Sequence, residues 1–454
     1  MDETDQPQDP VPSALLPTGN GEPSYGSSPL KFVGERQLLL NEAHARPPVD
    51  IPIKSSVTRL MMTAPAGTDG NDPAFEHLQR MCSETSCPVP AKQAKHHVFE
   101  TGSLRIVWER HTEFYSLTFI RPELGDALFS ETALGNVPPQ WLAEQPGEVL
   151  SATHLVVLPV TVYEDEFEIA RKAFGRNDFT ASKATNGPVT IASDFRAHAD
   201  GFTRVLVFDR GTGDGFRGRL VQRLLEIDAY RLAALMALPV ARKLTIDLNG
   251  LERRLEEIIH RLASKPEMGV DRQLLDDLSE IAGTIEELEQ ETHFRLSASA
   301  AYYRIVLERV DRLREERIDG RQRIGMFMER RLGPAMRTCE ATERRLQNLA
   351  NRTSRAAQLL RTRVNVAVEE GNKSLLESLN KRSEAQLRLQ QTVEGLSAVA
   401  LTYYAVGLVS YMASAAVDAG LDVPKNLIVG LSVPILAALT LLGLKRMRDN
   451  LHKG

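Results

Sequence analysis

Cysteine is scarce: Cys82, Cys87 and Cys339 are the only three in 454 residues, too few for a disulfide framework. They read as free thiols in a reducing compartment. Cys82 and Cys87 could form one zinc-ligand pair, but no second Cys/His pair follows at finger-like spacing, so no metal is expected. Neither sign of charge is in excess. Lys and Arg number 55 against 60 Asp and Glu, a net charge of −5 that leaves no footprint for nucleic acid. The opening MDETDQPQDP is acidic and poor in apolar residues, the reverse of a signal peptide, so export of this part is not expected. Walker-type phosphate loops, nucleophile elbows, zinc-protease and kinase signatures are all missing. The sequence therefore reads as non-enzymatic, with no catalytic residue and no cofactor.

What is present falls into four stretches, enough for two or three cored domains. Residues 1–30 are rich in Pro, Gly, Ser and acidic side chains, and read as a disordered tail. Residues 31–217 read as an α+β cytosolic domain with a mostly antiparallel sheet. In SLRIVWERHTEFYSLTFI the apolar positions alternate at Leu104, Ile106 and Trp108, then at Tyr115, Leu117 and Phe119. That predicts two half-buried strands joined near Arg110 to Thr112. HLVVLPV (154–160), VTIAS (189–193) and FTRVLVF (202–208) add three strands, while FEHLQRM (75–81) and FEIARKAF (167–174) read as helices.

Residues 218–395 read as a long helical, coiled-coil stalk. Leu244, Leu248, Leu251, Leu255, Ile258 and Leu262 are spaced 4, 3, 4, 3, 4. The seam resumes with Leu274, Leu278, Ile281, Ile285 and Leu288, then recurs at Leu296, Ala300, Tyr303, Val306, Val310 and Leu313. Pro239, Pro266 and Pro334 divide it into several helices. From Ala335 to Val417 no proline intervenes, and an unbroken helix there would extend roughly 120 Å, with Gly371 a candidate break. Packing within one chain and pairing between subunits bury the same stripe, so periodicity fits both.

Residues 396–454 read as a two-helix transmembrane hairpin with a basic C-terminal tail. Leu396–Val417 and Leu427–Leu444 run 22 and 18 residues without a formal charge. Each meets the length of a bilayer core, where backbone hydrogen bonds must close within the segment. Lys381, Arg382 and Arg388 precede the first span, and Lys445, Arg446, Arg448 and Lys453 follow the second. The intervening turn holds only Lys425, beside Asp418 and Asp422. This asymmetry predicts a two-pass protein with both termini cytoplasmic. Tyr403, Gly407, Ser410 and Ser414 share one face of the first span, at spacings 4, 3, 4. Such a small, polar stripe suits helix packing in lipid or the lining of a pore. No charge lies inside either span, which removes the strongest sign of an ion relay.

Five runs stand out together: LNEAHARPP (40–48), ERHTEF (109–114), FGRNDFTAS (174–182), SDFRAHADGFTRVLV (193–207) and GRLVQRLLEIDAYRLAALMALPVAR (218–242). They resemble an uncharacterised proteobacterial family of membrane-anchored proteins, a domain of unknown function, over nearly the whole chain after about residue 35. The resemblance implies architecture and location and brings no activity. The plan also resembles the CorA-type magnesium channels: a cytosolic α/β domain, a long stalk helix entering the first span, and a C-terminal hairpin ending in basic residues. Their Gly-Met-Asn signature is absent from the corresponding region, Gly407 to Ser414.

Candidate ligand-binding residues come from two of these runs. Glu42, His44 and Arg46 alternate, so an extended segment presents all three on one face, suited to an anion or a base. Arg110, His111 and Glu113 sit at the proposed hairpin turn, where a solvated tip is the plainer reading. Asp209 to Gly215 (DRGTGDG) lacks the phosphate-loop lysine and glycine spacing, and reads as a flexible connection to the stalk. Gln222, Arg223, Glu226, Asp228, Tyr230 and Arg231 read as a satisfied helix surface or as a polar contact between stalk and sheet. The expected role is an oligomeric membrane tether or scaffold. Its partners would be the lipid bilayer, copies of itself and an unidentified cytosolic partner or ligand. The alternative is a CorA-like channel or ion transporter.

Overall fold

The computed structural model describes residues 30, 32–36, 39–40, 47–63, 72–91, 94–125, 127–160, 165–263, 268–419 and 424–451. The predicted tail lies outside these, Leu30 apart, as does half of the turn at 418–425. The chain divides into two compact units, residues 1–251 with 284–349, and residues 252–283 with 350–454.

The first unit is built on nine described strands: β1 (Ser55–Thr63), β2 (His96–Thr101), β3 (Leu104–Arg110), β4 (Phe114–Arg121), β5 (Val149–Pro159), β6 (Thr180–Ala184), β7 (Val189–Ser193), β8 (Thr203–Asp209) and β9 (Glu316–Arg317). They form one sheet in the order β2-β3-β4-β1-β5-β8-β7-β6-β9. Every pairing is antiparallel except β5 with β8. The five predicted strands are present, and β1, β2, β6 and β9 join them. β1 escaped the sequence reading because it lies mid-sheet with eight of nine residues buried, including Ser55, Ser56, Thr58 and Arg59. A strand covered on both faces shows no alternation.

Its helices are α1 (Pro73–Glu84), α2 (Pro139–Ala143), α3 (Glu166–Phe174) and α4 (Asp214–Leu235). α1 begins at Asp72, whose carboxylate accepts from the Ala74 and Phe75 amides, with Pro73 at the first position. It buries Phe75, Leu78 and Met81 against Leu60, Met62, Ile106, Trp108 and Phe119 of the sheet. The opposite face, carrying Val57, Leu155, Val157, Val205 and Val207, takes Leu220, Val221 and Leu224 of α4. At Gly218 the helix passes so near Val49 that an added Cβ would lie 2.1 Å from its carbonyl oxygen. Only glycine fits there.

Buried polar groups fix α4 in place. Asp228 is fully buried and accepts from Thr153 Oγ1 at 2.6 Å, Thr203 Oγ1 at 2.8 Å and Arg231 Nε at 2.8 Å. One carboxylate thus ties α4 to β5 and β8. The Asp209–Gly215 segment is a bound turn, not the loose connection its glycines suggest. Asp209 accepts from the Gly211 and Thr212 amides and pairs with Arg217 at 2.8 Å, and both side chains are nearly fully buried.

The long helices are α5 (Ala237–Leu262), α6 (Met268–Asp311), α7 (Ile324–Arg331), α8 (Gly333–Asp418) and α9 (Lys425–Leu451). Leu244, Leu248, Leu251, Leu255 and Ile258 are buried, as are Leu274, Leu278, Ile281 and Ile285. Those seams are covered within a single chain. The third seam departs from its prediction by one residue, since Ser299 is buried and Ala300 exposed. Gly371 does not break α8, which runs 86 residues. In the first part of α8, up to Leu360, the buried side chains are Met336, Cys339, Thr342, Leu346, Leu349, Thr353, Ala356 and Leu360. In the second unit, Arg363 pairs with Asp271 at 3.2 Å and donates to the Leu262 carbonyl at 2.7 Å. α8 and α9 each contain a stretch long and apolar enough to cross a membrane by length and composition.

His154 offers a test of the core. It is 4 % exposed, stacked on Phe202 at 4.0 Å and hydrogen-bonded to Thr58 at 2.7 Å, and burial pushes its imidazole down to about 4. An unfolded histidine titrates near 6.5, so between those values the unfolded chain binds the extra proton. Stability from this group is complete above about pH 6.5 and is lost as pH falls toward 4, by roughly 3 kcal/mol. Thermal unfolding from pH 7 to 4 should fall more steeply in the wild type than in His154→Gln. Equal slopes would remove His154 from the account.

Candidate functional site

A polar concavity in the sheet unit gathers two of the five runs that stood out in the sequence. It has a volume of about 520 Å³ and is lined by Asn177 to Thr180, Asp194 to Arg196, Gly320 to Gln322, Phe327 and Arg331. That size suits a small-molecule pocket. The residues arrive from the lead into β6, the exit of β7, the connection between β9 and α7, and α7 itself.

Each wall is held by identifiable bonds. The exit of β7 is a strained turn: Phe195 adopts φ 52°, a left-handed value that a bulky residue rarely takes. The Phe195 amide donates to Ser193 Oγ at 3.1 Å and the Arg196 amide to Asp194 Oδ1 at 3.2 Å, which holds the turn. The Phe195 ring stacks on Phe327 with centroids 4.9 Å apart. Glu315 fastens the start of α7 by accepting from the Ile324 and Gly325 amides at 2.9 and 2.8 Å, and from Ser182 Oγ at 2.5 Å. Arg321 lies over the Phe179 ring at 3.9 Å and donates to the Asn177 carbonyl at 2.7 Å.

The charges are unevenly satisfied. Asp194 is wholly buried, with Arg176 Nε 3.6 Å and His198 Nε2 3.2 Å from Oδ2. Neither approach has hydrogen-bond geometry at Oδ2, and His198 bonds instead to Oδ1 at 3.4 Å. Arg196 reaches Asp178 at 3.3 Å, an exposed pair. Arg331, at the end of α7, makes no hydrogen bond or ion pair with any described residue. Sequence reasoning missed this cavity. FGRNDFTAS and SDFRAHADGF carried Arg and Asp in plain view, but Arg321 and Arg331 come from within the helical stretch, and the β6–β9 pairing and the Phe195–Phe327 stack bring them near.

The candidate residues from the sequence are dispersed. Glu42, His44 and Arg46 lie outside the described residues. Arg110, His111 and Glu113 do sit at the turn between β3 and β4, yet the tip is docked and only Thr112 of the four is exposed. Arg110 pairs with Asp72 at 3.0 Å, and the His111 ring lies edge-on to Tyr230 at 6.3 Å. Glu113 accepts from Arg295 at 2.6 Å and from the Tyr302 hydroxyl. Burial and that carboxylate push the Tyr302 phenol up. Tyr230 stacks on Tyr302, and Glu226 bonds to Arg309, so the polar positions of α4 contact α6.

In α8, Tyr403 is 76 % exposed, and an added Cβ at Gly407 would meet open space. Ser414 donates back to the Ser410 carbonyl at 2.8 Å. The face turned to α9 is the neighbouring one: Ala398 and Ala413 are buried, Thr402 is hydrogen-bonded to Thr440 at 2.9 Å, and Tyr403 borders a concavity shared with Val433, Ala437 and Leu441 of α9. Among the described residues no group of three His, Cys, Asp or Glu side chains forms a metal-ligand set.

The docked tip makes a measurable claim. Glu113 and Arg295 are mostly buried, so a double-mutant cycle of Glu113→Ala and Arg295→Ala should return a coupling of about 1–3 kcal/mol in unfolding experiments. Additive effects would mean that the pair does not form in solution.

No curated protein matches the chain. A family model described as "Protein of unknown function (DUF3422)" matches residues 33–451, and the chain belongs to that family.

Proposed function

We propose that this protein is a membrane-anchored, non-enzymatic assembly protein of the bacterial inner membrane. The apolar stretches of α8 and α9 cross the bilayer as a hairpin, both termini face the cytoplasm, and copies associate along α8 while the sheet unit binds a ligand or partner. The supporting observation is an unpartnered stripe. After Leu360 the apolar positions of α8 swing to a new face at Leu375, Leu379, Leu389, Val393, Leu396, Ala400 and Tyr403, in heptad register with only Arg382 and Gln386 interposed. The same register continues to Gly407, Ser410 and Ser414. The large apolar members are 50–76 % exposed in the single chain.

Charge sorting supports the same reading. Glu377, Lys381, Glu384, Arg388 and Glu394 all lie off the stripe and off its flanks, which carry Ser, Ala, Gln, Thr and Leu. Interface cores are depleted of charge in this way. A partner must match leucines in water and small residues in lipid at the same heights. A second copy, parallel and in register, does so automatically.

A channel reading rests on the same stripe, whose serines would face the axis of a ring. The back-bond of Ser414 to its own helix favours the tether, because that hydroxyl needs no water to satisfy it. Oxidation of membranes carrying Leu389→Cys, Val393→Cys or Tyr403→Cys should give covalent dimers, and Glu384→Cys or Gln391→Cys should not. Dimers only from the latter pair would place the contact on another face.

A further inference from the structure

We propose that the cavity between β6, β7 and α7 binds a small phosphate monoester through Arg196, Arg321 and Arg331. This deepens the ligand-binding part of the proposed function and stands apart from the association of α8. The charge balance decides the sign of the ligand. The lining holds three guanidinium groups and two carboxylates, and one of those carboxylates, Asp194, faces Arg176 and His198 from behind the wall. The space therefore carries an excess of positive charge that the protein does not neutralise. Arg331 brings a guanidinium without any described partner, and the Arg196 pair with Asp178 is exposed and exchangeable at little cost.

Geometry narrows the class further. Arg321 is already anchored by the Asn177 carbonyl and the Phe179 face, so its position is set before any ligand arrives. The strained turn at Phe195 points the same way, since it sets Arg196 beside the cavity through the Asp194 carboxylate. The three arginines line the cavity from three segments, the exit of β7, the connection before α7 and α7 itself, and several guanidinium forks suit a tetrahedral dianion better than a planar monoanion. Phe327, half-buried in the lining, supplies apolar surface for the organic part of an ester. The volume of about 520 Å³ admits a phosphate with a ring-sized substituent.

Phenyl phosphate is a suitable probe. Calorimetric titration into the full chain in detergent, at constant ionic strength, should show saturable binding of one equivalent per chain. Arg196→Gln and Arg331→Gln, both on exposed side chains, should each weaken it tenfold or more, whereas Arg171→Gln on the outer face of α3 should leave it unchanged. Benzoate should bind at least tenfold more weakly. Micelles doped with phosphatidic acid form the second arm: displacement of the probe assigns a lipid headgroup as the source, and no displacement assigns a soluble ester. Absence of saturable binding, binding unaffected by either arginine substitution, or equal affinity for benzoate would overturn the proposal. The subunit count does not enter any of these readouts.

Discussion

A helix can hide an apolar stripe only against something that runs beside it, and along α8 the stripe changes face. Up to Leu360 the buried positions step by three and four residues and are covered within the chain. Continued unchanged, that register would meet Ser374, Glu377, Lys381, Glu384 and Arg388, residues that belong in water. The leucines instead move to the neighbouring face and stay exposed. Burying each such side chain is worth about 1.5–3 kcal/mol. In lipid the hydrophobic effect gives nothing, and small residues that allow close approach do the work. The change from Leu389, Val393 and Leu396 to Gly407, Ser410 and Ser414 follows that division at the point where the charge-free run begins.

The sheet unit uses the opposite strategy, satisfying its polar groups internally. Asp228 gathers hydroxyls from two strands, Asp209 and Arg217 close the turn into α4, and Glu113 joins the β3–β4 tip to α6. Buried carboxylates with several donors specify one arrangement, because any slip leaves a charge unpaired. Against that background the cavity beside α7 differs: Arg321 is held by a carbonyl and a ring instead of a carboxylate, and Arg331 has no partner among the described residues.

Much of this architecture was legible from periodicity. The five strands with alternating or short apolar runs, the helices at 75–81 and 167–174, and the seams at Leu244 and Leu274 lie where their spacing placed them. β1 was hidden because burial on both faces erases the alternation that marks a strand. The turn at Asp209 was misread because its glycines are visible in sequence and the inward reach of Arg217 from the first turn of α4 is not. The hairpin tip looked solvated for a related reason: its partners, Arg295 and Tyr302, lie more than 180 residues away. Pairings set by the three-dimensional path leave no local trace, which is also why the cavity around Arg331 went unseen.

The subunit count of the detergent-purified protein, by light scattering corrected for bound detergent, tests the central claim most directly. The exposed stripe of α8 predicts a stable oligomer that Leu389→Glu with Val393→Glu reduces to monomers. A wild-type monomer at every accessible concentration would show that the stripe has no second copy to meet, and would contradict the account.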